Sequence, residues 1–209
     1  MSREQLGDLY ARHHAAGGRY GFIYGGADRA GVLAPLVGRG RRVLDIGCRD
    51  GTLTRHYLDG NDVTGVDVDR GALEACGRDL GIATRWADVG DGLPCRDGEF
   101  DVVVAAELVE HLPVPDAFVA EVARVLRPGG TFVGSVPNAF RLKNRLLFLS
   151  GREFELDPTH LHHFSPWTLR ALLGTRFEDI ELRFAASRLL FVWPRMFGNC
   201  MVWRCRKRA

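Results

Sequence analysis

Two carboxylates and an imidazole stand close together in Glu107-x-x-Glu110-His111, directly after the apolar run Phe100-Asp101-Val102-Val103-Val104-Ala105-Ala106. A strand that ends at Glu107 would aim it at a pocket, because open α/β sheets take their ligands outside the carboxyl ends of their strands. A cluster of this composition can hold a divalent cation or move a proton. Further along, His160, His162 and His163 add imidazoles, whose pKa near neutrality suits general-base work. The bland alternatives are a Glu107 that shapes a pocket floor, a His111 that packs a loop, and a histidine cluster satisfied at the surface.

A second constellation lies upstream. Val43-Leu44-Asp45-Ile46 reads as a strand running into the glycine-bearing turn Gly47-Cys48-Arg49-Asp50-Gly51, and Thr52–Leu58 reads as a helix after it. A strand, a glycine turn and a helix N-terminus make a nucleotide cradle. Asp67 closes the next apolar run 20 residues beyond Gly47, where a ribose-binding carboxylate belongs in a βαβ unit. The glycines are spaced G-x-x-x-G rather than G-x-G-x-x-G, which argues against a dinucleotide. Asp45 would repel a pyrophosphate and suit a cofactor that carries an ammonium group. Turn formation is the competing role for Asp45, Asp67 and Asp88.

In these residues, over roughly 40–137, the chain resembles the class I S-adenosylmethionine-dependent methyltransferases, and among them the small-molecule subgroup of ubiquinone biosynthesis. The resemblance implies S-adenosylmethionine as cofactor, with Asp45, Gly47, Cys48, Arg49 and Gly51 at its amino-acid end. It implies Asp67 on the ribose, Val68 against the adenine, Asp88 with Val89 at the adenine amine, and Glu107 at the pocket. Arg49 replaces the middle glycine of the family's usual G-x-G-x-G, so it either faces the cofactor carboxylate or distorts the turn. The implied reaction is methylation of a small-molecule acceptor at oxygen, with His162, His163, His160, Glu107 and His111 as catalytic candidates and no metal. A metal-assisted alternative uses Glu107, Glu110, His111 and His162. It also resembles the small-RNA 3′-end 2′-O-methyltransferases. A nicotinamide-dependent oxidoreductase and a non-catalytic cofactor-binding module are the other rivals.

The elements that must position these residues alternate from Arg42 onward. Strands are expected near 42–46, 62–67, 83–87, 100–106 and 130–136, with helices near 51–59, 70–80 and 116–126. Ser165-Pro166 caps a further helix, and strands follow near 177–184 and 200–206. The fold class is α/β: a Rossmann-like, doubly wound, mostly parallel seven-stranded sheet with an antiparallel C-terminal edge strand, the edge pairing being implied by the resemblance. Residues 1–209 are read as one domain, with a cap segment (1–40), a cofactor-binding core (41–137), and an acceptor-side insert with the C-terminal strands (138–209). The cap has one short helix near Glu4–His14, and its His13, His14, Tyr10, Tyr20 and Tyr24 either cover the cofactor or form a solvated face. The run 188–197 is too apolar for an ordinary loop.

A net charge of +2 lacks the basic stripe of nucleic-acid domains, so a small molecule is the expected partner. Five scattered cysteines fit reduced thiols in a cytoplasm. Cys200 and Cys205 lack a second pair for a metal, and the basic end Arg204–Arg208 reads as a solvated tail. No apolar run approaches the roughly 20 residues a membrane helix needs, and a monomer or homodimer is expected.

Overall fold

The computed structural model describes residues 3–154, 157–187 and 189–208, so Arg188, the first residue of the apolar run, lies outside the described residues. Seven strands form one sheet: β1 (Arg42–Ile46), β2 (Asp62–Asp67), β3 (Ala83–Trp86), β4 (Phe100–Ala106), β5 (Leu126–Pro137), β6 (Phe177–Ala185) and β7 (Cys200–Lys207). Their order is β3-β2-β1-β4-β5-β7-β6. The first five are parallel, and β7 runs antiparallel to both β5 and β6. The helices are α1 (Arg3–Ala16), α2 (Gly26–Val37), α3 (Arg70–Leu80), α4 (Pro115–Val125), α5 (Leu142–Leu149), α6 (Pro166–Leu173) and α7 (Pro194–Phe197). None of the helices among the described residues is long and apolar enough to cross a membrane.

The central strands are apolar on both faces because both faces are covered. Leu44, Ile46, Val103, Phe132 and Trp203 join α4 and α6 in one core, while Val43, Val102, Val104 and Val133 pack with Leu33 and Val37 of α2 in the other. Each such side chain, fully buried, contributes about 1.5–3 kcal/mol. The expected strands stand where the alternation put them. The Ser165 cap forms a full capping box with Thr168 at the start of α6.

Three local expectations are corrected. Thr52–Leu58 is not a helix: only a single 3₁₀ turn forms, at Thr54–His56. Tertiary bonds override the pattern there, since the Thr54 and Tyr57 hydroxyls both donate to buried Asp45 Oδ2, at 2.6 and 2.7 Å. Second, residues 1–40 hold two helices. The second, α2, contains Pro35 and begins in a glycine pair, breakers that hid a helix stabilised by its buried face. Third, β5 begins already at Leu126, taking the Pro128-Gly129-Gly130 turn into the strand with a register shift opposite Phe100–Val102. The segment after Pro137, which lacked a clear period, also carries a helix, α5.

Candidate active site

A cleft of about 1160 Å³ opens at the carboxyl ends of β1, β2 and β4, between the N-terminal segment on one side and the 138–161 segment on the other. Its inner wall is the turn after β1. Gly47, Arg49 and Gly51 all have positive φ, at 75°, 50° and 74°. A side chain at Gly51 would also be crowded, since a Cβ would sit 2.5 Å from Leu80 Cδ1 and 2.9 Å from Cys76 Sγ and would displace them. The turn is stitched to β2 by the Gly47 and Cys48 amides, which donate to Val66 O, and by the Arg49 amide, which donates to Asp67 Oδ2 at 2.7 Å.

Asp67 is buried at the cleft wall, and its Oδ1 accepts from the Asp69 amide at 2.9 Å. Burial pushes its pKa up to about 6 against the pull of these amides. Each carboxylate oxygen has a second lone pair, so Asp67 can take two further donors from the cleft. Val68, Asp88 and Val89 continue the same wall, and Asp88 also serves its turn role by accepting from the Gly90 amide. Asp45, in contrast, does not line the cleft. It lies beneath the turn on the Thr54 and Tyr57 hydroxyls, its pKa raised by burial to about 6.

Arg49 lines the cleft, and its contacts within the chain are with the N-terminal segment and Asp50. Its backbone adopts the left-handed region that favours glycine, and its guanidinium turns to the N-terminal segment, donating to Phe22 O at 2.5 Å and meeting Asp50 at 3.2 Å. The Gly21 amide also donates to Asp50. The cap segment therefore closes onto the turn. Gly7 of α1 approaches so nearly that a Cβ there would lie 2.7 Å from Val68 O. His14 and the Tyr20 hydroxyl both reach Asp69 Oδ2, at 3.2 and 2.7 Å, while Asp69 caps α3. Burial lowers the His14 pKa.

The other end of the cleft gathers Glu107, His111 and His160, with Glu110 beside them. Glu107 sits at φ 54°. Its Oε1 meets Arg29 Nη1 at 3.0 Å and accepts from Ser135 Oγ at 2.8 Å. Arg29 is a buried guanidinium from α2 that no sequence signal marked, since nothing in a Gly- and Ala-rich stretch shows that a charge points inward. Glu110 is buried, outside the cleft lining, with neither carboxylate oxygen hydrogen-bonded. Burial, then the nearby Glu107 charge, pushes its pKa well up.

His111 lines the cleft, its ring edge-on to Tyr10 and 4.7 Å from that of His160. The Thr159 hydroxyl donates to Asp157 Oδ1 at 2.6 Å, so it must accept from His111 Nδ1 at 3.0 Å. That leaves the lone pair of His111 on Nε2. Burial first, and then the His160 charge, lower its pKa to about 4. Asp157 is the hub of this end. It holds Arg19 at 2.5 Å, His13 at 3.5 Å and His160 at 3.8 Å. Burial works to raise its pKa, but bonds from Thr159 and Arg19 outweigh it and hold the carboxyl well below the usual range. No sequence signal marked Asp157 or its tie to Arg19.

His162 and His163 do not line the cleft. His162 stacks near Phe164 with a buried Nε2 that has no partner, and His163 packs on Phe154. Of the three downstream histidines, His160 is the one beside Glu110 and His111. These three place a ligand atom each within 4.8 Å of one another, a spacing suited to a cation. Glu107 is engaged by Arg29 instead. The cleft exceeds the usual 300–1,000 Å³ of small-molecule sites, and so has room for a nucleoside cofactor and an acceptor together.

A family model described as a methyltransferase domain matches residues 44–134. The chain is 33% identical over 167 residues to a ubiquinone biosynthesis O-methyltransferase of Alkalilimnicola ehrlichii, covering 74% of this chain and 67% of that protein. It is 35% identical over 144 residues to a probable S-adenosylmethionine-dependent methyltransferase of Mycolicibacterium smegmatis, covering 68% of this chain and 53% of that protein. The chain thus spans between about half and two thirds of the length of these curated relatives. In fold it is similar to a Thermotoga maritima S-adenosylmethionine-dependent methyltransferase described as a possible histamine N-methyltransferase, with a TM-score of 0.71, 17% identity and 98% of both chains covered. The sheet order, the glycine turn facing an acidic β2 end, and this sequence kinship together make the chain a member of the S-adenosylmethionine-dependent methyltransferase family, whose cofactor is S-adenosylmethionine.

Proposed function

We propose that this chain transfers the methyl group of S-adenosylmethionine to an oxygen of a small-molecule acceptor. The observation that carries the reading is one continuous cleft. It runs from Asp67 and Asp88, acceptors suited to ribose hydroxyls and an adenine amine, to the His111–His160 pair. The relatives named for ubiquinone O-methylation support oxygen as the target. In this reading residues 1–40, 41–137 and 138–209 serve as cap, cofactor frame and acceptor side of one domain. Five free cysteines are in keeping with a cytoplasmic setting.

S-adenosylmethionine supplies an electrophilic methyl group on a sulfonium. The chain's own task is to orient, to exclude water and to take a proton. Asp67 holds the ribose, and Val68 with Val89 flanks the adenine. The Arg29 guanidinium, whose Nε has no partner, faces the amino-acid end beside Glu107. Alignment of this kind contributes at best about 7–11 kcal/mol. His160, oriented by Asp157, removes the acceptor's proton, which adds roughly 10²–10⁴-fold. The test is turnover: His160→Gln should lower kcat about 100-fold or more with cofactor affinity unchanged. Full activity in that variant would remove His160 as the base.

A second reading is favoured by one observation, the two unpartnered oxygens of buried Glu110. A divalent cation on Glu110, His111 Nε2 and His160 would satisfy them, orient an acceptor hydroxyl and lower its pKa. Chelation by EDTA separates the readings, since only the second loses turnover and regains it with magnesium or manganese. The RNA acceptor that such a site also suits is tested by a gel shift with small RNA.

A further inference from the structure

Outside the cleft, large exposed apolar side chains recur on α5 and on the segment that leads into α7. On α5, Leu146, Phe148 and Leu149 are 57%, 70% and 79% exposed. Beside α5 lies α7, and the two are joined by a shallow groove lined by Leu142, Leu146 and Phe197. The approach to α7 adds Phe191, Val192 and Trp193, at 84%, 60% and 57% exposure. Six large apolar side chains in such exposure are more than the scattered residues of an ordinary surface.

The charge around them is predominantly positive. Residues 138–152 carry Arg141, Lys143, Arg145 and Arg152 and no acidic residue, the exposed Glu153 that follows lining the cleft, and residues 189–199 carry Arg195 and no acidic residue. Elsewhere cations and anions are nearly balanced, the whole chain having 28 Lys and Arg against 26 Asp and Glu. An apolar face with an aromatic component and a predominantly cationic margin is the composition that lies on an anionic bilayer surface, with the apolar groups entering the headgroup boundary and the cations meeting lipid phosphates. A protein partner would need no such bias of sign, and a second copy of this chain would set its cations against one another.

We propose that the face formed by α5 and the 189–197 segment docks on the surface of an anionic lipid bilayer. The docking is peripheral, by side chains. The same helix presents Lys143, Asn144 and Leu147 to the cleft, so the docked face and the cleft mouth are neighbours. This inference does not depend on the methyl acceptor, and its test needs no turnover.

The experiment is co-sedimentation of the full chain with vesicles of phosphatidylcholine alone and with phosphatidylglycerol added, with tryptophan emission, including that of Trp193, read in parallel. The expected result is binding to the anionic vesicles only, with a blue shift, released by high salt. Each basic side chain at such a surface strengthens partitioning roughly fivefold, about 1 kcal/mol. Arg145→Glu with Arg152→Glu should therefore lower it by well over tenfold. Leu149→Glu with Phe191→Glu should abolish it, while circular dichroism and S-adenosylmethionine affinity, remote from these positions, stay as in the parent. Equal binding to neutral vesicles, or none to either, overturns the proposal. So does concentration-dependent self-association that Leu149→Glu abolishes, which would give the face to a second copy. Should a variant misfold, the comparison of the two vesicle types with the parent chain still decides.

Discussion

Replacing Asp67 with Asn changes one charge and almost no volume, and the geometry gives the consequence a size. Both oxygens of Asp67 already accept backbone amides, Arg49 at Oδ2 and Asp69 at Oδ1. An Asn must turn its NH₂ toward one of them, leaving a buried amide without an acceptor at about 1–3 kcal/mol. The turn 47–51 is loosened directly, because Arg49 holds its left-handed φ of 50° under that bond. The ribose hydroxyls then meet a neutral amide instead of a carboxylate, losing roughly 1 kcal/mol per bond. Together these predict S-adenosylmethionine affinity lower by at least about tenfold, equivalent to about 1.4 kcal/mol, measured by calorimetry near neutral pH. The pH profile adds a signature. Burial raises the Asp67 pKa to about 6 in the free protein, and hydroxyl donors favour the ionised form. Cofactor binding therefore releases a proton, and parent affinity should rise with pH through about 6, while Asp67→Asn shows no such rise. Unchanged affinity in the variant, or the same pH profile in both, would refute the assignment of the ribose site.

Gly51→Ala forces a left-handed φ on an L side chain, at about 1–2 kcal/mol, and overpacks Leu80 and Cys76, at about 1–3 kcal/mol. Tm should fall by at least about 5 °C for a chain of this size, and a Tm within a degree of the parent's would contradict the close packing. Glu110→Gln separates the two acceptor-end chemistries: with no metal, the neutral isostere of a carboxyl kept protonated by burial leaves stability and turnover near the parent's, whereas with a cation it removes a ligand and turnover collapses. Asp45 gives a stability test with a definite sign. Its pKa is raised from 3.8 to about 6, so the stability it contributes is full below about pH 4 and lost as pH rises through about 6. The unfolding free energy of the parent minus that of Asp45→Asn should drop by about 3 kcal/mol as pH rises across that window in denaturant titrations, and a flat difference would contradict its burial.

The strands were legible because their apolar runs are long and bounded by glycine, and the place of Asp67 and Glu107 at the cleft was legible because clefts in open sheets lie at the strand ends. Helix α6 was legible from its cap alone. The failures have a common cause. A helix was expected at 52–58, but long-range bonds from Thr54 and Tyr57 to Asp45 hold a single turn there. Helix α2 was hidden by Pro35 and its glycines, and with it went Arg29. Among the downstream histidines His162 was placed in the metal alternative, whereas His160 is the one that lines the cleft beside Glu110 and His111; which one enters depends on how the loop after Asp157 folds against the Glu110 carbonyl, which accepts the Leu161 and His162 amides. Arg49 was seen as a departure, but its partner Phe22 is remote in sequence and reached through a backbone carbonyl.

Transfer of the methyl group itself tests the central claim most directly. The purified chain is incubated with S-adenosylmethionine carrying a carbon-13 methyl group and a panel of catechol and phenol acceptors, and the products are read by NMR. The account predicts a labelled methoxy resonance, formed together with an equivalent of S-adenosylhomocysteine and strongly diminished in Asp67→Asn. A label that appears on nitrogen or carbon across acceptors offering all three would contradict oxygen as the target. A cofactor that binds in the cleft but is never turned over would contradict the reading of this chain as an enzyme.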